Sequence, residues 1–117
     1  MNAPRQKVEI CEVGPRDGLQ NEAEIVPTEA KLEMIRRALA AGVRRIEVAS
    51  FVNPARVPQM ADAEAVIADL PDVADVRYIG LCLNQRGVAR ALATRTGNKR
   101  GVDEAGCVLV ASDTLGQ

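Results

Sequence analysis

The sequence predicts an α/β fold on a parallel sheet, in the order βαβαβαβ, and three observations carry that expectation. Strand-like apolar runs begin near Val8, Arg45, Val76 and Ala105. Helical apolar repeats fill the stretches between them. The strand-to-strand spacing, roughly thirty residues, suits right-handed crossover units.

The first run, Val8-Glu9-Ile10-Cys11-Glu12-Val13, reads as a strand with Val8, Ile10 and Glu12 on one face. Gly14 and Pro15 then turn the chain, and Gly18 leaves room for backbone to approach a ligand. In the first helix Thr28 is placed as the cap, Lys31 in the first turn, and Leu32, Ile35, Leu39 and Val43 on the apolar stripe. Gly42 marks its stop. The second strand sets Arg45, Glu47 and Ala49 on one face and Ile46 and Val48 on the other. A second helix is expected over Ala61 to Asp69, ending before Pro71, with Met60, Ala63, Val66, Ile67 and Leu70 inward. The third is expected from Gln85 to Thr94, with Val88, Ala91 and Leu92 inward.

Composition narrows the function classes. Apolar residues make up 47% and charged residues 26%, as in ordinary globular proteins. A formal charge of −1 gives no long-range pull toward nucleic acid or anionic membrane. The only basic cluster runs from Arg95 to Arg100, and Phe51 and Tyr78 are the only aromatic residues. Neither a nucleic-acid nor a membrane partner is expected. Met1 to Lys7 lacks the apolar core of a secretory signal, so the expected compartment is cytoplasmic. Three cysteines, Cys11, Cys82 and Cys107, do not make a disulfide framework and read as small buried hydrophobes.

The chemistry concentrates in Glu12-Val13-Gly14-Pro15-Arg16-Asp17-Gly18-Leu19-Gln20-Asn21-Glu22. Arg16 and Asp17 deliver a cation and a carboxylate to one small region. A hard metal wants oxygen ligands, and a developing oxyanion wants a fixed cation. An Arg-Asp-Gly turn on its own is equally an ordinary solvated surface turn. Ligands of parallel sheets collect at the carboxyl ends of the strands, which is where this turn falls. Glu12 and Glu47 are expected near the ends of neighbouring strands on the inner side. Burying them is costly unless a cation answers, and Arg16 or a bound divalent metal could do so. They then serve either as acids and bases or as anchors for Arg16.

Glu12 to Glu22 resembles the signature of the hydroxymethylglutaryl-CoA lyases, metal-dependent aldolase-type enzymes on (β/α)8 TIM barrels. A second block, Ile46-Glu47-Val48-Ala49-Ser50-Phe51-Val52-Asn53-Pro54 with Val57-Pro58-Gln59-Met60-Ala61-Asp62, is similar to the lyase branch. The resemblance runs from about Val8 to Leu92 and more loosely from Gly101 onward. It implies cleavage of 3-hydroxy-3-methylglutaryl-CoA to acetoacetate and acetyl-CoA, in leucine degradation and ketone-body formation. It implies Asp17 as ligand of a magnesium or manganese ion and Arg16 as the cation that stabilises the enolate. Glu12 and Glu47 match active-site acids, while Gln20, Ser50 and Asn53 match substrate-side positions of an acyl-CoA site.

A complete barrel takes roughly 250 residues. The 117 residues here are therefore expected to form its amino-terminal half, about four βα units, as one incomplete domain without an internal linker, from a truncated gene product or a longer protein. The family completes its metal site with a His-x-His pair and an asparagine from later strands, and uses a cysteine on a late glycine-rich loop. This chain has no histidine. The expectations are an incomplete metal site, an inactive isolated chain, and self-association of the half-barrel through its open edges. The stretch Thr94 to Arg100 departs from the family pattern and reads as an inserted loop. Two other readings stay open: a related metal-dependent aldolase or acyl-CoA-dependent synthase, and a non-catalytic fragment that docks on a full-length lyase.

Overall fold

The structure, a computed structural model, describes residues 4–112. Helices alternate with a three-stranded parallel sheet in the order α1 (Thr28–Ala40), β1 (Arg45–Ser50), α2 (Ala63–Ala68), β2 (Arg77–Leu81), α3 (Gln85–Ala93) and β3 (Glu104–Gly106). The strand order β1-β2-β3 follows the sequence, so each crossover places its strand beside the last. This is the start of a (β/α)8 barrel, with the helices packed on one face of the sheet and Glu47, Ile79, Leu81 and Ser50 on the other.

The first expected strand is the main departure. Among residues 8–13 only Glu12 pairs, through a single parallel bridge to Ile46. Val8 and Ile10 are exposed, because no layer lies against them. The bridge also settles their facing. Bridged residues point the same way, so Glu12 shares the helix-side face of Ile46 and not the face of Glu47. The expected common inner face of the two glutamates is corrected here.

A second correction comes from β1 itself. Its register with β2 runs Ile46↔Tyr78 and Glu47↔Ile79, then skips to Ala49↔Gly80 and Ser50↔Leu81. Val48 is the extra residue of a β-bulge, and a bulge interrupts the two-residue alternation. Ala49 is thereby turned to the helix side, where it joins the core, and Ser50 comes onto the face of Glu47.

The helix-side core is as patterned. Leu32, Ile35 and Leu39 of α1 pack with Val66 and Ile67 of α2, and with Ile46, Val48 and Tyr78 of the sheet. Gly42, at φ 100°, ends α1 as expected. Thr28 does not cap it: Pro27 holds the cap position, and the Thr28 hydroxyl donates to Asp62 Oδ2 at 2.6 Å. The same carboxylate accepts from Lys31 Nζ at 2.5 Å, which is how a 2%-exposed lysine is accommodated. The second helix is a 3-10 turn, Pro58–Met60, followed by α2, and every expected inward residue from Met60 to Leu70 is buried.

α3 is turned relative to its expected stripe. Gly87 and Ala91 face the sheet, leaving Leu92 65% exposed and Val88 on the flank. The reason is proximity: a Cβ at Gly87 would stand 3.0 Å from the Phe51 carbonyl, so only a small residue admits the helix. The basic stretch before β3 is a structural connector. Arg100 lies 4.7 Å above the Tyr78 ring and donates to the carbonyls of Val73 and Val76.

Two measurements test this packing. A Cβ at Gly80 would fall 2.4 Å from Phe51 Cε2. Gly80→Ala is therefore expected to destabilise by about 1–3 kcal/mol in urea titration, with Phe51→Leu recovering part of the loss. Arg90 clamps Glu64 at 2.6 and 2.9 Å and, chiefly through these hydrogen bonds, holds its carboxyl below the usual carboxylate range. A folded-state pKa lowered in this way adds stability above the ordinary carboxylate pKa and loses it as pH falls through the lowered value. Glu64 is half exposed, so Glu64→Gln should cost no more than about 1 kcal/mol at neutral pH, with the difference vanishing in acid.

Candidate active site at the carboxyl end of β1

Residues Gly14–Gly18 form one turn of π-helix that leaves the sheet directly after the Glu12 bridge. The Val13 carbonyl accepts from the amides of Arg16, Asp17 and Gly18, which fixes the turn internally. The Glu12 carboxylate accepts from the Gly14 amide at 3.0 Å. A Cβ at Gly14 would lie 2.7 Å from Met34 Cε and 2.8 Å from Glu12 Oε1, so a larger residue there would have to displace the ends of these two side chains. At Gly18 a Cβ would meet nothing, so no packing contact requires glycine there.

The turn projects Arg16 over the end of β1, on the Glu47 face. Arg16 Nε donates to Glu47 Oε1, with the two side chains 17% and 12% exposed. Nη1 reaches Asp17 Oδ1 at 3.4 Å, and Nη2 faces no acceptor among the described residues. Asp17 is 55% exposed. Ser50, on the same face through the bulge, is fully buried, and its hydroxyl has no partner among the described residues. The carbonyl oxygen of the Gln20 amide is likewise buried without a partner. Asn53 lies on the exposed loop after β1 and uses its side-chain oxygen to accept from the Ala55 amide.

Arg16, Asp17, Glu47 and Ser50 are thus brought to one end of β1. Glu12 braces the turn from the other face, and Asn53 is occupied locally. The bulge that delivers Ser50 leaves no local sign in the sequence. Lys31 and its partner Asp62 were also not anticipated, although Thr28 and Lys31 stand three apart on α1 and so share a face.

For a divalent metal the donor set is short. Among the described residues no three of His, Cys, Asp or Glu converge. Glu47 is engaged by Arg16 and Glu12 by the Gly14 amide, which leaves the Asp17 carboxylate. One carboxylate does not hold magnesium or manganese, which requires near-octahedral oxygen coordination. These residues alone do not fit the ion.

Comparison with known proteins follows the same segment. The HMGL-like family profile matches residues 7–112. The human cytoplasmic 3-hydroxy-3-methylglutaryl-CoA lyase is 50% identical over 86 residues, covering 74% of this chain and 23% of that protein. The (R)-citramalyl-CoA lyase of Chloroflexus aurantiacus is 40% identical over 120 residues, covering 94% of this chain and 36% of its own length. The crystal structure of hydroxymethylglutaryl-CoA lyase from Pseudomonas aeruginosa superposes with a TM-score of 0.85 at 39% identity, over 95% of this chain and 35% of that one. The chain therefore spans between about a quarter and a little over a third of the length of these relatives.

The orphaned hydroxyl gives a direct check. Removing an unsatisfied buried group should not cost folding energy, so Ser50→Ala is expected to change stability by less than about 1 kcal/mol or to raise it. A larger loss in thermal or urea unfolding would reveal a structural partner for Ser50.

Proposed function

The chain belongs to the HMGL-like family, and from that premise we propose that it carries the enolate-stabilising part of a carbon–carbon lyase acting on 3-hydroxy-3-methylglutaryl-CoA. The observation that carries the reading is the guanidinium of Arg16, held through Nε by Glu47 and through Nη1 by Asp17, with no hydrogen bond from Nη2 among the described residues. Cleaving the bond between C2 and C3 of a 3-hydroxyacyl thioester requires a base to take the hydroxyl proton. The C–C electron pair then passes to the thioester carbonyl, giving acetoacetate and the enolate of acetyl-CoA. A planar, permanently charged donor placed at that carbonyl oxygen stabilises the developing charge. Arg16 fills that role in the proposal.

Glu47 is a positioning residue in this scheme, because its carboxylate is already engaged by Arg16. Glu12 acts one step further back, bracing the turn through the Gly14 amide. Ser50 and Gln20 offer buried polar atoms for substrate oxygens or amides, and Asn53 marks the rim of the acyl-CoA site. Asp17 would contribute a single oxygen ligand to a divalent ion, so the described residues by themselves support no metal-dependent turnover. A cytoplasmic setting is proposed alongside the human relative named for that compartment. Self-association of the isolated chain is proposed from the outer edge of β3 and the exposed Val8, Ile10 and Leu109. The second reading is a related lyase substrate, favoured by the similarity to a citramalyl-CoA lyase.

The test grafts this chain in place of the matching segment of the Pseudomonas aeruginosa lyase and measures acetoacetate release from the hydroxymethylglutaryl thioester, with citramalyl-CoA as competitor. Activity of the graft is expected. Arg16→Lys within it should lower kcat by about a hundredfold to a thousandfold, as loss of an oxyanion donor does. Glu47→Gln should also lower kcat while leaving KM closer to its original value. A graft that folds and turns over equally well with Arg16→Lys would sink the assignment. The chain alone is expected to show no turnover.

A further inference from the structure

Two of the three cysteines follow the last paired residues of neighbouring strands and line one cleft. The β2–β3 register pairs Leu81 with Gly106, and the Cys82 amide continues the ladder to the Gly106 carbonyl at 2.8 Å. Cys82 and Cys107 are the residues that follow this last pair, each one step past the end of its strand. They line one cleft of about 210 Å³ together with Asn84, Val88 and Val108. Paired strands lie about 4.8 Å apart, so residues leaving the last pair start out within the Cα separation of roughly 4.4–6.8 Å that a disulfide spans.

Their environments differ in a useful way. Cys107 is exposed and Cys82 is buried. Burial pushes the Cys82 thiol up, and the neighbouring Cys107 adds to that rise while Arg90 opposes it. Cys82 is thus shielded from reagents in solution, whereas Cys107 meets them first. Cys11 lies beyond β1 on the segment before Glu12, surrounded by Arg45, Glu47, Glu104 and Glu9 and facing neither of the other thiols.

We propose that Cys107 and Cys82 form a reversible dithiol–disulfide pair, with Cys107 as the attacking thiol, Cys82 as the resolving thiol, and a low-molecular-weight disulfide as oxidant. The Cys107 thiolate attacks one sulfur of the oxidant and expels the other half as a thiolate, leaving a mixed disulfide on Cys107. The Cys82 thiolate then attacks the Cys107 sulfur and expels the second half. Two protein thiols and one small disulfide become one protein disulfide and two small thiols, so electrons and protons balance. The bond would tie the loop after β2 to the segment after β3, at the end of the sheet where ligands of this fold collect. This pairing does not depend on the lyase reading.

The experiment incubates the purified chain with oxidised glutathione at neutral pH and follows thiol titre, intact mass and a non-reducing peptide map. The titre is expected to fall from three thiols to one. The mass should drop by two hydrogens, and the map should join the Cys82 and Cys107 peptides with Cys11 free. A thiol reductant should restore all three. Cys82→Ser should halt at the glutathione adduct of Cys107. Accumulation of that adduct in the unmodified chain, a link to Cys11, or a link between two chains would each overturn the pairing, and the unmodified chain alone suffices to decide.

Discussion

Glu47 is gripped twice, and the candidate site depends on both grips. Its amide donates to the Glu12 carbonyl at 2.9 Å, and its carboxylate accepts from Arg16. The first contact attaches the amino-terminal segment to β1, and the second holds the π-helical turn over the strand end. Neither charge of the Arg16–Glu47 pair is well solvated, so neither tolerates loss of its partner; breaking a buried pair of this kind costs about 3–5 kcal/mol. Since these two side chains keep some exposure, the cost here lies toward the lower end. The mutual constraint matters more than its size. A guanidinium whose Nε is committed to a carboxylate has its plane fixed, and its remaining N–H groups then point in a set direction. Preorganisation of that kind is what an oxyanion donor needs.

The sequence made the helix-and-strand order legible because the amphipathic signals are strong. Leu32, Ile35 and Leu39, and then Ala63, Val66 and Ile67, fall at helical spacing and are buried as a set. The errors share one physical origin: periodicity reports the local alternation of a chain, not its register with a neighbour. Period two placed Ala49 beside Glu47, and the bulge at Val48 moved Ser50 there instead. The same rule drew residues 8–13 as a strand, yet with one bridge and no covering layer only Glu12 is paired. On α3 the expected stripe is Val88, Ala91 and Leu92; Ala91 is buried as expected, but closeness to the Phe51 carbonyl makes Gly87, not Val88 or Leu92, its partner on the packing face. Size decided against hydrophobicity.

Site residues were legible to the extent that their chemistry is carried by type and order. Arg16 and Asp17 are adjacent, so any turn brings them together. Glu47 joins them from thirty-one residues away, and the strand pattern that sets it at the end of a neighbouring strand, with the cost of burying its charge, points to Arg16 as its partner. The distinction between Glu12 and Glu47 was beyond the sequence, because the two carboxylates differ only in which face their strand presents. The bridge of Glu12 to Ile46, rather than to Glu47, divides them into a brace for the backbone and a partner for the cation.

The face of the sheet opposite the helices shows how the same residue types are used differently along one strand. At the amino end of β1, Arg45 is answered by Glu104 at 2.6 Å, with Glu9 at 3.8 Å, and Arg77 shares Glu104 at 3.5 Å. Each of these cations has a carboxylate within ion-pair distance, although Arg45 Nε makes no hydrogen bond among the described residues. Two residues along β1, on the same face, Glu47 answers a single nitrogen of Arg16, and the Ser50 hydroxyl beyond it has no partner among the described residues. Along this face of β1 the charges of Arg45 and Glu47 are each answered by an opposite charge, while two buried donors, Arg45 Nε and the Ser50 hydroxyl, make no hydrogen bond among the described residues. Of the two, only the Ser50 hydroxyl lies at the carboxyl end of the strand, where ligands of this fold collect.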